Sequence, residues 1–145
     1  MKKSLSISIG VPAFLLVMLF GVNLFLRAQD KPSPDNRLAV IWSSGDPEVA
    51  NKVCFMYTQN AKKQKWFDEV TLIVWGPSAK LLAANRELQT KIQSMLNDGV
   101  KIQACQACSD SYGVSDDLRK LGIDVKYMGK PLTDILKQGW KVLTF

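Results

Sequence analysis

Cys105 and Cys108, in the run CQAC, are the residues best suited to chemistry in a chain of 145 that holds three cysteines and no histidine. Thiols at that spacing serve as a metal clip, a disulfide, a redox pair or the seat of a reactive sulfur. Zinc takes four ligands, usually Cys and His. CQAC supplies two, no second pair exists, and the third cysteine, Cys54, falls on the apolar stripe of a helical segment as a small core residue. No metal site is expected. The missing histidine also removes the Ser-His and Cys-His pairings of nucleophilic catalysis. A cysteine here must be activated by a helix N-terminus, backbone N–H groups or a nearby cation. A bridge between Cys105 and Cys108 closes only a small loop, so its entropic stabilisation is modest. Structural bridge, redox pair and reactive sulfur all stay open on the residues alone.

The elements that must position this pair alternate between two periods. Arg37 to Ser44 (RLAVIWSS) is a short apolar strand. Asp46 as N-cap and Pro47 at the first helical position open a helix with Ala50, Val53, Cys54, Tyr57 and Ala61 on one stripe. Glu69 to Trp75 (EVTLIVW) is nearly continuous in apolar and β-branched residues, as a strand covered on both faces should be. Gly76-Pro77-Ser78 breaks it, and one long amphipathic helix follows with Leu81, Leu88, Ile92 and Met95 on one side. Asp98-Gly99 stops that helix before VKIQAC, the third strand. Then come a short helix (VSDDLRKLG) ended by Gly122, a strand (IDVKYMG), a helix (KPLTDILKQG) and a last strand (KVLTF). Such alternation predicts an α/β fold: a single three-layer α/β/α domain over residues 37–145 with a mainly parallel five-stranded sheet.

In open parallel sheets the ligand site lies beyond the carboxyl ends of the strands. Those ends collect Ser43, Ser44 and Gly45 from the first strand, and Trp75, Gly76 and Ser78 from the second. The third gives Cys105, Cys108, Asp110 and Tyr112; the fourth gives Tyr127, Met128 and Gly129. Ser43, Ser44 and Gly45 read either as an anion-binding nest or as plain turn and cap chemistry beside Asp46. Trp75, Tyr112 and Tyr127 read as walls of a thiol pocket or as interface aromatics. Asp110 orients a proton or caps a turn. No glycine fingerprint for a dinucleotide is present, so no cofactor is expected. At the rim, the Cys105 sulfur should lie open and ionise readily beside a helix N-terminus.

Ahead of the domain, Lys2 and Lys3 precede 23 uncharged residues, Ser4 to Leu26. That length sits between a cleaved signal peptide and a membrane anchor. Residues 1–28 are read as one or the other, and 29–36, with two prolines, as a linker. Both readings place the domain outside the cytoplasm, periplasmic or exported, either released or held to the inner membrane by residues 4–26. After position 37, 14 Lys and Arg face 11 Asp and Glu, a balance of +3, so half of the chain's +6 sits at or before Arg37. No basic stripe with interleaved aromatics exists, which argues against nucleic-acid binding.

From Leu38 to Phe145 the chain resembles the DsrE/DsrF-like family, the sulfur-relay proteins of bacterial sulfur metabolism and tRNA thiolation. The resemblance rests on IWSSGDPE, LIVWGPSAKLL, ACQACSDSYGV, LGIDVKYMG and the terminal GWKVLTF. Family members carry one reactive cysteine at a strand end with a Gly-Val pair downstream. Gly113-Val114 lies eight and nine residues after Cys105, so the resemblance assigns that role to Cys105 rather than Cys108. It implies a persulfide on Cys105, sulfur donor and acceptor partners (proteins or small sulfane-sulfur compounds), and a homo-oligomer, trimer or hexamer. Two features depart from the family pattern: the export-type leader and the second cysteine, Cys108. A sulfur carrier or sulfurtransferase-like protein is thus expected, with or without turnover. The alternatives are a periplasmic thiol–disulfide exchanger using Cys105 and Cys108, and a non-catalytic assembly subunit.

Overall fold

The computed structural model describes residues 36–145, so the leader and linker expectations fall outside the described residues, Asn36 apart. Five strands, β1 (Arg37–Trp42), β2 (Glu69–Val74), β3 (Lys101–Cys105), β4 (Asp124–Lys126) and β5 (Lys141–Thr144), form one sheet in the order β4-β3-β2-β1-β5. Every neighbouring pair is parallel. Three successive crossovers step one way across the sheet, from β1 to β4, and the fourth returns over the whole sheet to β5. Right-handed crossovers then put the first three connections on one face and the last on the other.

The apolar side chains confirm that division. Leu38, Val40 and Trp42 of β1, Val70, Leu72 and Val74 of β2, and Ile102 and Ala104 of β3 point into the larger core. Their alternates, Ala39, Ile73 and Cys105, point into a smaller one. The larger core is closed by α1 (residues 47–63), α2 (Pro77–Ala84), α3 (Arg86–Asn97) and α5 (Ser115–Lys120), which contribute Cys54, Phe55, Leu82, Leu88, Ile92, Met95 and Leu118. The smaller core is closed by α6 (Gly129–Lys137) through Leu132 and Ile135, with Met128 just before the helix and Trp140 just after it. A short α4 (Gln106–Ser111) continues directly from β3. The expected three-layer parallel α/β domain is therefore the observed one.

Three local expectations are corrected. Helix α1 begins as Pro47–Val49, widens into a π-helical turn at Ala50–Cys54 and resumes as Phe55–Lys63. A turn closed from i to i+5 holds more residues than an α turn, so it rotates the stripe. Ala50, Cys54 and Ala61 are buried as expected, whereas Val53 is 43% exposed and Phe55 takes its place inside. The long helix after β2 is in fact two helices. Asn85, with extended backbone, accepts from the Leu88 N–H at 3.1 Å and caps α3. Gln89 Nε2 donates back to the Leu82 and Ala83 carbonyls at 3.0 and 2.9 Å, satisfying the end of α2. The break turns Leu82 into the core and leaves Leu81 half-buried. Finally, α4 is a helix where the sequence reads as a strand-end loop. It carries no side-chain cap, which removes the usual signal.

Candidate functional site

Strands β3 and β4 are neighbours, yet their chains leave the sheet differently: β3 runs on into α4 and α5, and β4 crosses under to α6. A crevice forms where adjacent strands part in this way. Cys105 closes β3 on the face of the smaller core, and Cys108 stands one turn later on α4. The Cys108 thiol donates to Cys105 Sγ at 3.1 Å, and neither sulfur is bridged. A disulfide needs an approach to about 2.0 Å, so only a small movement separates the reduced pair from the oxidised one.

The expectation of an open Cys105 is corrected. It is 4% exposed, packed with Ile73, Met128, Trp75 and Cys108, because its side chain follows the strand alternation into the core rather than out over the rim. Cys108 is the half-buried member and forms the solvent-side lid of the pair. Burial, followed by the contact with Cys105, pushes the Cys108 thiol above its ordinary range, and the Gly76 N–H pointing at its sulfur partly offsets this. Cys108 therefore keeps its proton near neutrality.

Gly76 reaches this sulfur only because of its backbone. With φ +70° and ψ −134° it occupies a region effectively reserved for glycine. Open space surrounds the position of a Cβ, so the requirement is conformational. The turn is fixed from beneath by Ser78, which is fully buried. Its hydroxyl donates to the Trp42 carbonyl at 2.6 Å and accepts from the Trp75 N–H at 3.0 Å, tying the ends of β1 and β2. Ser78 thus shapes the site without facing it.

Of the other sequence-derived residues, Trp75 packs in the thiol cluster. Tyr112 and Tyr127 are 41% and 66% exposed, so neither seals the thiols. The Ser43–Gly45 nest is already filled. Ser43 N and Ser44 N donate to the Phe145 main-chain oxygen at 2.7 and 3.2 Å, and Ser43 Oγ does so at 3.0 Å. Ser44 Oγ accepts from Asp46 N, and Asp46 Oδ1 from Glu48 N, so turn and cap chemistry accounts for the segment. Gly45 lies against Pro77, where a Cβ would meet the proline ring at 3.4 Å. Asp110 accepts from the Ser115 hydroxyl, which also meets Ser109 Oγ at 2.7 Å, and so links α4 to α5. Met128, collected at the end of the fourth strand, packs in the thiol cluster, whereas residue-by-residue reading of the sequence omits Leu132 and Ile135, which pack against it. The fourth-strand charges Asp124 and Lys126 are also omitted, since only sheet register brings them beside β3. Among the described residues no group of three or more His, Cys, Asp or Glu is arranged to hold a metal. No helix among them is long and apolar enough to cross a membrane.

Two adjacent thiols in an apolar cluster at a strand end can exchange disulfides or hold a sulfane sulfur. Comparison with known proteins narrows the context. The conserved protein BT1422 of Bacteroides thetaiotaomicron, of unknown function, is similar at 37% identity, over 80% of this chain and 100% of its own, with a TM-score of 0.76. The ychN protein of E. coli shares the fold at 16% identity and a TM-score of 0.60, over 77% of this chain and 99% of its own. No curated protein matches. The profile of the DsrE/DsrF-like family matches residues 36–145, the whole of the described domain. On that match the chain belongs to the DsrE/DsrF-like family, whose general theme is sulfur relay.

Proposed function

We propose that this protein is a sulfur carrier that holds sulfane sulfur as a persulfide on Cys105, with Cys108 as the neighbouring thiol that governs its release. The observation that carries the reading is the unbridged pair at the end of β3, 3.1 Å between sulfurs. In loading, the Cys105 thiolate attacks the outer sulfur of a donor persulfide. The new S–S bond forms as the donor's S–S bond breaks, and the donor leaves as a thiolate. Delivery is the reverse, with an acceptor thiolate attacking the outer sulfur. In a third step open to this geometry, Cys108 as thiolate attacks the inner sulfur of the Cys105 persulfide. Hydrosulfide leaves with two electrons, and the two cysteines are oxidised to a disulfide. The raised Cys108 thiol makes this last step slow at neutral pH and protects the cargo.

The charge pattern and length of residues 1–28 support a carrier working outside the cytoplasm, released or anchored by residues 4–26, with partners other than those of tRNA thiolation. Apolar residues left exposed on α6 and β5, Leu136 at 56% and Leu143 at 37%, support assembly as a homo-oligomer, trimer or hexamer. The same sulfur–sulfur distance favours a second reading, thiol–disulfide exchange with Cys105 attacking and Cys108 resolving.

Intact-mass measurement after incubation with a sulfane-sulfur donor separates the readings. The carrier gains the mass of one sulfur atom, and Cys105→Ser abolishes the gain. Equal loss of activity in Cys105→Ser and Cys108→Ser, with a shift between dithiol and disulfide and no sulfur gain, would establish the exchanger instead. A bridge resistant to mild reductant would leave an assembly role.

A further inference from the structure

Beside Cys105 the sheet places a cation that the thiol pair does not explain. Strand β4 pairs with β3 in parallel, Gln103 opposite Asp124, Ala104 opposite Val125 and Cys105 opposite Lys126. Residues opposite each other in such a ladder lie on the order of 5 Å apart and send their side chains to the same face. Packing verifies the assignment: Ala104 and Val125 belong to the larger core, so Cys105 and Lys126 share the other face. Polar contacts verify it again. Asp124 Oδ2 accepts from Lys126 Nζ at 2.6 Å and from Gln103 Nε2 at 3.5 Å. The three form a polar ledge along the rim of an otherwise apolar cluster.

A charged pair on an outer strand needs a reason, because exposed ion pairs contribute little to stability. The Lys126 and Asp124 side chains are 37% and 57% exposed, so the pairing is weak and the flexible lysine stem is free to turn from its own strand toward its neighbour. Its neighbour is the sulfur that the proposed function loads. A persulfide is more acidic than a thiol, so a loaded Cys105 carries negative charge on its outer sulfur at neutral pH. Inorganic sulfane-sulfur donors such as thiosulfate and polysulfide are themselves anions.

We propose that Lys126 is a specificity-determining residue of this site: its ammonium leaves Asp124 to bind the anionic donor and then the charged outer sulfur on Cys105, which selects inorganic anionic sulfane sulfur as substrate class. This rests on the sulfur-carrier reading. With thiosulfate the step balances as follows: the Cys105 thiolate attacks the sulfane sulfur, that sulfur's bond to the sulfonate group breaks, and sulfite leaves with the bonding pair. Lys126 offsets the repulsion between thiolate and dianion. Asp124 parks the ammonium when no anion is present.

The test pairs two readouts on the full chain. Alkylation of Cys105, resolved from Cys108 by tandem mass spectrometry, is timed with anionic iodoacetate and neutral iodoacetamide. The rate ratio of anionic to neutral reagent should fall about fivefold in Lys126→Gln, hold in Lys126→Arg and rise in Asp124→Asn. Sulfur gained from thiosulfate should follow the same order. An unchanged ratio across the three variants overturns the role of Lys126, whatever the loading shows. Loading of Lys126→Gln at the rate of the unaltered protein overturns the substrate selection and leaves the carrier intact. A ratio that shifts as expected, in a protein that gains no sulfur in any form, upholds the cation at Cys105 and sinks the carrier.

Discussion

The two faces of the sheet are built to different standards. One is sealed by four helices, and its strand residues, from Leu38 to Ala104, are at most 3% exposed. The other is closed by α6, a helix none of whose residues is fully buried. Each face carries cysteine, and the chemistry divides with the packing. Cys54, on the sealed side, has its thiol pushed up to about 12 by burial, with a small opposing effect from Thr58. It is an inert hydrophobe. Cys105 and Cys108 sit where the cover is thin and a neighbouring turn can supply an N–H. Reactivity here follows from where a thiol is packed rather than from its being a thiol.

The contrast can be broken most forcefully through stability. Ile92→Ala, on the sealed face, should cost about 2–5 kcal/mol in denaturant unfolding, whereas Leu132→Ala under α6 should cost about 1 kcal/mol. Equal costs would mean that the faces are equally packed. The next test is pH. The folded chain holds the Cys54 proton where the unfolded chain has already lost it, so stability is intact below about pH 9 and falls from there toward 12. The slope reaches up to about 1.4 kcal/mol per pH unit. Cys54→Val should lack that component, and an unchanged alkaline profile in this variant would remove the assigned role of burial.

A smaller effect sharpens the thin side. Gly76→Ala forces a side chain onto a backbone of φ +70° and should destabilise by about 1–3 kcal/mol. It also displaces the N–H facing Cys108, so alkylation of Cys108 should require higher pH than in the unaltered protein. Normal stability together with an unmoved pH profile would show that the turn has no hold on the thiol. The mildest change is Asn85→Ala. It removes the α3 cap, should cost about 1 kcal/mol by thermal unfolding and should leave both thiols' reactivity unmoved.

Strand and helix order were legible because both periods are strong: β2 is nearly continuous in apolar and β-branched residues, and Asp46-Pro47 announces α1 as cap and first residue. CQAC was legible as a rim feature because β3 must end there. What the chain did not show depends on contacts remote in sequence or on backbone states without a residue signal. The π turn at Ala50–Cys54 has no composition of its own, so Val53 was placed on the wrong side. Ser43 and Ser44 read either as an anion nest or as turn chemistry, and the partner that decides it, the Phe145 oxygen, lies about a hundred residues away. Burial of Cys105 follows from strand alternation, yet a strand end invites the expectation of exposure. Lys126 was invisible as a site residue because only the β3–β4 register places it opposite Cys105.

The central claim concerns which sulfur holds cargo. The most direct measurement loads the reduced protein with a sulfane-sulfur donor, traps it with an alkylating reagent and locates the extra sulfur by peptide mass spectrometry. This account puts it on Cys105, with Cys108 alkylated as a plain thiol and Cys54 modified only after unfolding. Extra sulfur on Cys108 with none on Cys105, or on no cysteine at all, would contradict it.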